Sequence, residues 1–391
     1  MSSHGTEQLT LFTDLHLKQD ILSEVYSHLG LRNEPNKDFL AMSPTRTLKN
    51  KIYSFTYVPD YMDTVMAHTD KQTQKRYPSV YGYAIDLKNC NEVDDYMRTH
   101  LNKRRKSIAR SVRRLEQSFE TSYKMYLGDM DVDQYHFLMG RLKSMITQRF
   151  KQKGHESDNL AVWDKVLSTS LGLIRAKKAS LFVIYVKDEP IVISFNYNYG
   201  PVLFSYISSY DINYGKFSPG QVEIYKQLEW CLANGYNQFD MGWGGMGYKQ
   251  WWSNKRYRFY HHILYPKHSL KGLFYALWKG NKSKIIAYLI SKGVNTYFNE
   301  LKSKLKKNHD TGNKPVDYQF EERALSSFEN LEKISLNQIK PPMSKEIVND
   351  FLFLTQEHSN DVSLYYDRTN DDYFLVGKKK AQIVLFHNST K

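Results

Sequence analysis

Polar and apolar positions alternate with a period of two over residues 52–58 and 80–87, which are rich in Tyr and β-branched side chains and predict two strands. The first 50 residues carry only a weak helical spacing at Leu17, Ile21, Val25 and Leu29. Over 93–119 the period becomes helical: Ile108, Val112 and Leu115 fall at i, i+4 and i+7 and leave the arginines on the wet side. A second helix is predicted over 132–153, with Tyr135, Leu138, Met139, Leu142, Met145 and Ile146 as its stripe and Gly154 as its stop. Leu160, Trp163 and Leu167 open a third, which runs to about Ile174. The pattern then changes to an antiparallel meander over 181–186, 191–197 and 202–208, with Pro- and Gly-bearing turns at 187–190 and 198–201. Ser218 reads as an N-cap, with Pro219 at the first helical position and Gln221 completing a capping box; Asn234-Gly235 stops that helix. Residues 236–241 form the next strand and 256–265 another, after a short helical turn. The stretch 270–307 is a basic amphipathic helical region interrupted by Gly280 and Gly293, and 310–315 reads as a linker. A helix at 346–357 and two or three strands (362–366, 373–376, 381–386) complete the chain.

At 391 residues, two or three domains are the natural expectation, and 41% hydrophobic and 14% aromatic residues suffice for real cores. Cys90 and Cys231 stand far apart without ligand partners, which argues against a disulfide framework or a zinc site and for a reducing compartment. The start of the chain lacks a signal-type apolar core, and the most apolar run, 179–186, is far shorter than the roughly 20 residues a membrane helix needs. A cytoplasmic protein is expected. The formal net charge of +14 implies an acidic partner: CoA phosphates, acyl carrier protein, tRNA or anionic lipid. Two basic stretches stand out. Between Asp240 and Glu300 there is no acidic residue, and residues 103–114 hold seven basic residues in twelve, Arg110 and Arg114 among them. A solvated helix face and phosphate contact both account for the second. The region 270–307 can rest on an anionic membrane surface or pack on the rest of the protein.

Residues 242–247 match G-x-G-x-x-G, but no acid follows about 20 residues on and the preceding strands are antiparallel, so a dinucleotide fold is rejected. A flexible turn and a substrate-lining loop both fit that segment. Ser218, Pro219 and Gly220 offer a helix start for an anion, or simply an ordinary capped helix. Asp211 and Asp240 are candidate bases near strand ends. Phe239 and Met241 flank Asp240, so alternation turns its carboxylate to the opposite sheet face. Tyr248 and Lys249 are candidate proton donors or charge stabilisers. His261 and His262 read as structural.

Tyr210-Asp211, 216–220, Asn234-Gly235, 239–242 and Tyr248-Lys249, with Arg113-Arg114 and 148–154 upstream, resemble the GNAT acyltransferase superfamily. More narrowly, they are similar to the branch of cellulose-biosynthesis-type acetyltransferases and Fem-like aminoacyltransferases. The resemblance covers roughly 52–265 and implies a mixed α/β fold of two GNAT-like halves with largely antiparallel sheets flanked by helices. The expected divisions are 1–125 and 126–268 for the halves, 269–312 for the basic helical region and 313–391 for a small α/β unit. It implies acyl transfer to an amine or hydroxyl of an envelope, polysaccharide or lipid precursor by direct attack, without a metal. Acyl-CoA (acetyl-CoA) or acyl carrier protein would be the donor, held by Ser218, Pro219, Gly220, Gln221, Arg110 and Arg114. Asp240, Tyr248, Lys249 and Asp211 would be catalytic, and Arg149, Tyr210 and Trp243 would bind substrate. The usual glycine-rich pyrophosphate signature is absent before the helix; Phe217-Ser218-Pro219-Gly220 stands in its place. An aminoacyl-tRNA-dependent Fem-like transferase and a non-catalytic binding protein are the alternatives.

Overall fold

A computed structural model describes residues 5–32, 34–40, 50–152, 158–244, 247–292, 317–323, 331–335, 339 and 341–386. Strand β1 (Thr6–Thr10) leads into short helices α1 (Leu11–Asp14) and α2 (Gln19–Val25), then strands β2 (Tyr26–Leu31), β3 (Glu34–Leu40), β4 (Ile52–Pro59), β5 (Met62–Met66) and β6 (Gln72–Asp86). Leu29, expected on a helix, therefore lies in a strand. Helices α3 (Val93–Thr99) and α4 (Asn102–Ser118) share the run expected as one helix, and β7 (Thr121–Tyr126), α5 (Val132–Gln152), α6 (Asp158–Ala161) and α7 (Trp163–Arg175) follow. The expected stop at Gly154 lies outside the described residues. The meander is β8 (Ala179–Val186), β9 (Glu189–Tyr199) and β10 (Val202–Tyr210), followed by α8 (Pro219–Ala233), β11 (Gln238–Trp243), α9 (Gly247–Trp252), β12 (Lys255–Pro266) and α10 (Leu270–Ser291). Helix α8 ends at Asn234, and Gly235 takes the positive φ of 75° that a glycine supplies after a helix.

Nine strands form one mixed sheet in the order β1-β4-β12-β6-β11-β10-β9-β8-β7, antiparallel except for β1–β4 and β10–β11. The sheet continues across the 125/126 position, and β12 sits between β4 and β6. Helices α1, α5 and α7 cover one face around Phe55, Leu138, Phe195 and Phe204; α3, α4 and α8 cover the other around Leu115, Leu203, Leu228 and Phe239. Strands β2, β3 and β5 make a small separate sheet. The C-terminal unit holds more strand than the sequence pattern indicated: β13 (Tyr318–Glu322), β14 (Glu332–Ile334), β15 (Ser363–Asp367), β16 (Asp372–Val376) and β17 (Ala381–Phe386) form a five-stranded antiparallel sheet. Its helix α11 (Lys345–Thr355) buries Phe351 and Leu352.

Helix α10 corrects a second expectation, since it runs through Gly280 without interruption. A Cβ there would lie 2.3 Å from the Tyr77 ring, so glycine is present for close approach to the sheet and not to break the helix. Gly293 and the linker at 310–315 lie outside the described residues. No helix among the described residues is long and apolar enough to cross a membrane.

Candidate functional site

The parallel strands β10 and β11 pair over three residues only, Val202–Phe204 with Gln238–Asp240. Beyond that point they part. β10 shifts register against β9 between Ser205 and Ile207, and β11 shifts against β6 between Asp240 and Trp243. Gly242 makes the bend with a φ of 68°, where a Cβ would also come within 3.2 Å of Phe204. Asp240 is the last paired residue before this gap.

As alternation required, Phe239 and Met241 pack with α3 and α8 while Asp240 faces the other side. It is 0% exposed. Its Oδ2 accepts the Tyr61 hydroxyl at 2.6 Å, and its Oδ1 accepts the Tyr257 hydroxyl at 2.7 Å and the Gly242 amide at 2.7 Å. Distances this short mark charge-assisted bonds. Burial pushes the carboxyl upward, against the phenols, the amide and the charge of Lys249, which favour the anion. The same burial, followed by the nearby carboxylate, holds the Tyr61 and Tyr257 phenols well above their ordinary range. Gly82 makes room for Tyr257: a Cβ there would lie 2.2 Å from its ring. Lys249 donates to the carbonyls of Met241 (2.6 Å) and Trp243 (2.7 Å), tying down the end of β11. Burial lowers its ammonium to about 8, with Asp240 opposing. Trp243 stacks on Tyr57 at 4.0 Å and is half-buried.

On the opposite face stands a carboxylate the sequence reading missed. Glu223 of α8 accepts from Ser208 at 2.6 Å and from Gln227 at 3.1 Å; Gln227 in turn accepts from Asn196 at 2.9 Å, and Asn196 from Ser194 at 3.1 Å. Burial raises Glu223 to about 7 despite these bonds and the charge of Arg149. Tyr248 of α9 feels the charge of both Glu223 and Arg149: burial and Glu223 raise its phenol to about 12, and Arg149 opposes. The Arg149 guanidinium lies 4.4 Å over the Tyr210 ring, and that ring stands 3.8 Å from where a Cβ on Gly220 would be. The structure thus brings Arg149, Tyr210, Gly220, Glu223 and Tyr248 to one side of the gap and Asp240 and Lys249 to the other. Within the helix Glu223 reads as an ordinary charge. The available signal was its i, i+4 spacing to Gln227 inside a buried stripe of Val222, Ile224, Leu228 and Cys231.

Several expected residues do other work. Ser218 precedes α8 with φ 53° and ψ 52°, and its side chain makes no cap bond. Capping needs extended backbone there, so the expected capping box does not form. Gln221 instead accepts the Trp252 indole N–H at 2.7 Å. Pro219 has no N–H, and the Gln221 and Val222 amides donate to the Ser218 carbonyl at 2.8 and 3.3 Å. With proline first and the Gln221 amide turned onto Ser218, this helix start offers fewer backbone amides to an anion than a helix without them. Asp211 caps the turn that follows it, accepting from the Asn213 backbone and side chain at 2.9 and 2.8 Å, with Arg141 at 3.7 Å. Arg114 donates to the Phe353 carbonyl and lies 4.8 Å over that ring, fastening α4 to the C-terminal unit; Arg110 is exposed. Further along the basic helix, Arg104 covers Trp251 at 4.4 Å and Arg105 pairs with Asp94 at 2.7 Å. His261 and His262 are buried and bonded to Ser54 (2.8 Å) and Tyr26 (3.2 Å), and burial lowers them to about 4 and about 3. Cys231 is buried and its thiol is pushed far up, which does not suit a nucleophile. No group of three or more His, Cys, Asp or Glu among the described residues is placed to hold a metal.

Residues 102–250, from α4 into α9, match the family described as "Acetyltransferase (GNAT) domain", which supports a GNAT-type transferase fold over that stretch. No curated protein matches the chain. Among solved structures, FemX is similar at 9% identity and a TM-score of 0.39, covering 54% of this chain and 71% of that one. L-PGS from Bacillus licheniformis is similar at 11% and 0.37, covering 61% and 73%. A tandem GNAT protein from the clavulanic acid biosynthesis pathway is similar at 6% and 0.29, covering 55% and 64%.

Proposed function

We propose that this chain is an acyltransferase that moves an acyl group from a thioester donor, acyl-CoA or acyl carrier protein, to an amine or hydroxyl of an envelope, polysaccharide or lipid precursor. The observation that carries this reading is Asp240, a buried carboxylate held by two phenols and an amide at the point where two parallel strands part. Both of its oxygens are enclosed by protein donors, so it acts through Tyr61. The acceptor's proton passes to the Tyr61 oxygen as the Tyr61 proton passes to Asp240. The acceptor's O or N then forms the bond to the acyl carbon, the C–S bond breaks, and the Tyr248 phenol, protonated at neutral pH, gives its proton to the leaving thiolate. Lys249 sets the course of β11 and lends Asp240 its charge. Arg149, 4.4 Å over the Tyr210 ring beside this gap, would bind the substrate.

The donors share a pantetheine thioester and differ in what lies beyond it. The proline at the start of α8 leaves few amides for a diphosphate and favours a carrier protein, whose arm bears a single phosphate, over free CoA. The test is thiol release from acetyl-CoA and from acylated carrier protein in the presence of amine and sugar acceptors. Turnover that Asp240→Asn lowers by about 10²–10⁴-fold while the fold persists is the expected result. A folded Asp240→Asn variant with wild-type turnover sinks the reading, as does aminoacyl-tRNA acting where both thioesters fail.

A further inference from the structure

Helix α10 is built the wrong way round for a helix that serves only as packing. Gly272, Ala276 and Gly280, at i, i+4 and i+8, form the face laid on the sheet; a Cβ on Gly272 would meet Tyr265 at 2.6 Å and one on Gly280 would meet Tyr77 at 2.3 Å. Ser283 continues the contact, 3.3 Å from His261. With the small residues inward, the large ones are turned out. Leu270 is 71% exposed, Phe274 70%, Trp278 60% and Ile285 58%. An outward stripe of Leu, Phe, Trp and Ile along a helix about 33 Å long is a continuous apolar surface, not a scatter of single side chains.

The rim of this surface has one sign. Lys271, Lys279, Lys282 and Lys292 flank it, while Lys284 leans back over Tyr77 at 5.4 Å, and none of the five forms an ion pair with a described residue. The Lys279 and Lys282 ammoniums lie 5.1 and 6.0 Å from the Trp278 ring, so their stems run along the apolar stripe and their charges end beside it. No acid occurs anywhere between Asp240 and Glu300 to draw these charges inward. A second copy seated on the same face would set lysines against lysines, because a two-fold interface brings like patches together. A surface with an apolar interior and negative headgroups complements both features at once.

We infer that α10 is a docking helix for an anionic lipid bilayer, lying in the plane of the headgroups with Phe274, Trp278 and Ile285 inserted and the lysines on lipid phosphates. The inference stands apart from the acyl-transfer reading, since it uses none of that site's residues. The full chain is sedimented with vesicles of phosphatidylglycerol and phosphatidylcholine mixed, and with vesicles of phosphatidylcholine alone. Binding to the mixed vesicles is expected, weakened by salt. Reversing Lys271, Lys279 and Lys282 to Glu lowers it about hundredfold or more, at roughly fivefold per lysine lost. Phe274→Ala with Trp278→Ala weakens it independently of salt; both side chains are exposed, and circular dichroism checks the fold. Equal binding to both vesicle types, or binding that these variants leave unchanged, overturns the inference. So does a chain that ignores vesicles but self-associates until Trp278→Ala separates it.

Discussion

Asp240 and Glu223 are both carboxylates removed from water, and they stand on opposite faces of the same sheet where β10 and β11 part. Their partners differ. Asp240 has two phenols, an amide and a neighbouring ammonium, all of which stabilise its anion. Glu223 has a serine hydroxyl and a glutamine amide, with the cation of Arg149 farther off, and burial leaves it near 7. Burial therefore does not assign a role; the donors around the group do. In the proposed mechanism Asp240 receives a proton through a phenol, while Glu223, raised to about 7, would change charge near neutrality and so alter the field at Tyr248.

The sharpest way to break this contrast is to treat Asp240 and Tyr61 as one unit. Tyr61→Phe should lower turnover by at least about tenfold, and adding it to Asp240→Asn should cost almost nothing more, because both remove the same proton path. Additive losses in the double variant would show two separate functions.

The next largest effect concerns Glu223 and stability. Its folded pKa of about 7 exceeds that of an exposed glutamate, so the folded chain binds the proton more tightly than the unfolded one. Its stabilising contribution is complete below about pH 4.3 and disappears as pH rises through about 7. Glu223→Gln should thus unfold at higher denaturant than wild type at pH 8, by up to about 3 kcal/mol, with no gain at pH 4. A gain that is the same at both pH values would count against a buried titrating acid.

A smaller loss is expected from Gly82→Ala, which drives a methyl into the Tyr257 ring and loosens one donor to Asp240. Denaturation should show about 1–3 kcal/mol of destabilisation, with turnover reduced more than for Glu223→Gln. The smallest effect belongs to the rate profile. Glu223→Gln should change maximal turnover by less than about tenfold but remove an inflection near pH 7, and an inflection that survives would belong to another group.

Local patterning carried most of the fold. Ile108, Val112 and Leu115 line the buried side of α4 as their spacing required; the second turn of the meander falls at Gly200-Pro201 as expected, whereas the first narrows to Lys187-Asp188 and Pro190 lies inside β9. The five-stranded C-terminal sheet was only partly legible, because strands as short as Glu332–Ile334 give too few positions for alternation to register. In the site, Phe239-Asp240-Met241 told which way the carboxylate faces, since a period of two fixes it. Tyr61 and Tyr257 were not legible at all: they reach Asp240 across 179 and 17 residues of sequence, Tyr61 from the turn between β4 and β5 and Tyr257 from β12, and only the sheet order β4-β12-β6-β11 brings them near it. Ser218 and Gln221 failed for a related reason. The side chain that would have closed the capping box is taken by Trp252, a partner 31 residues away.

Tyr248 and Lys249 are neighbours on one six-residue helix, yet one serves Glu223 and Arg149 while the other serves β11 and Asp240. α9 therefore acts like a single shaft carrying two cogs. Inserting one residue before Tyr248 would rotate both by about 100° and disengage them together. Either carboxylate can be tuned by changing its own donors, but a change of register within α9 reaches both faces at once.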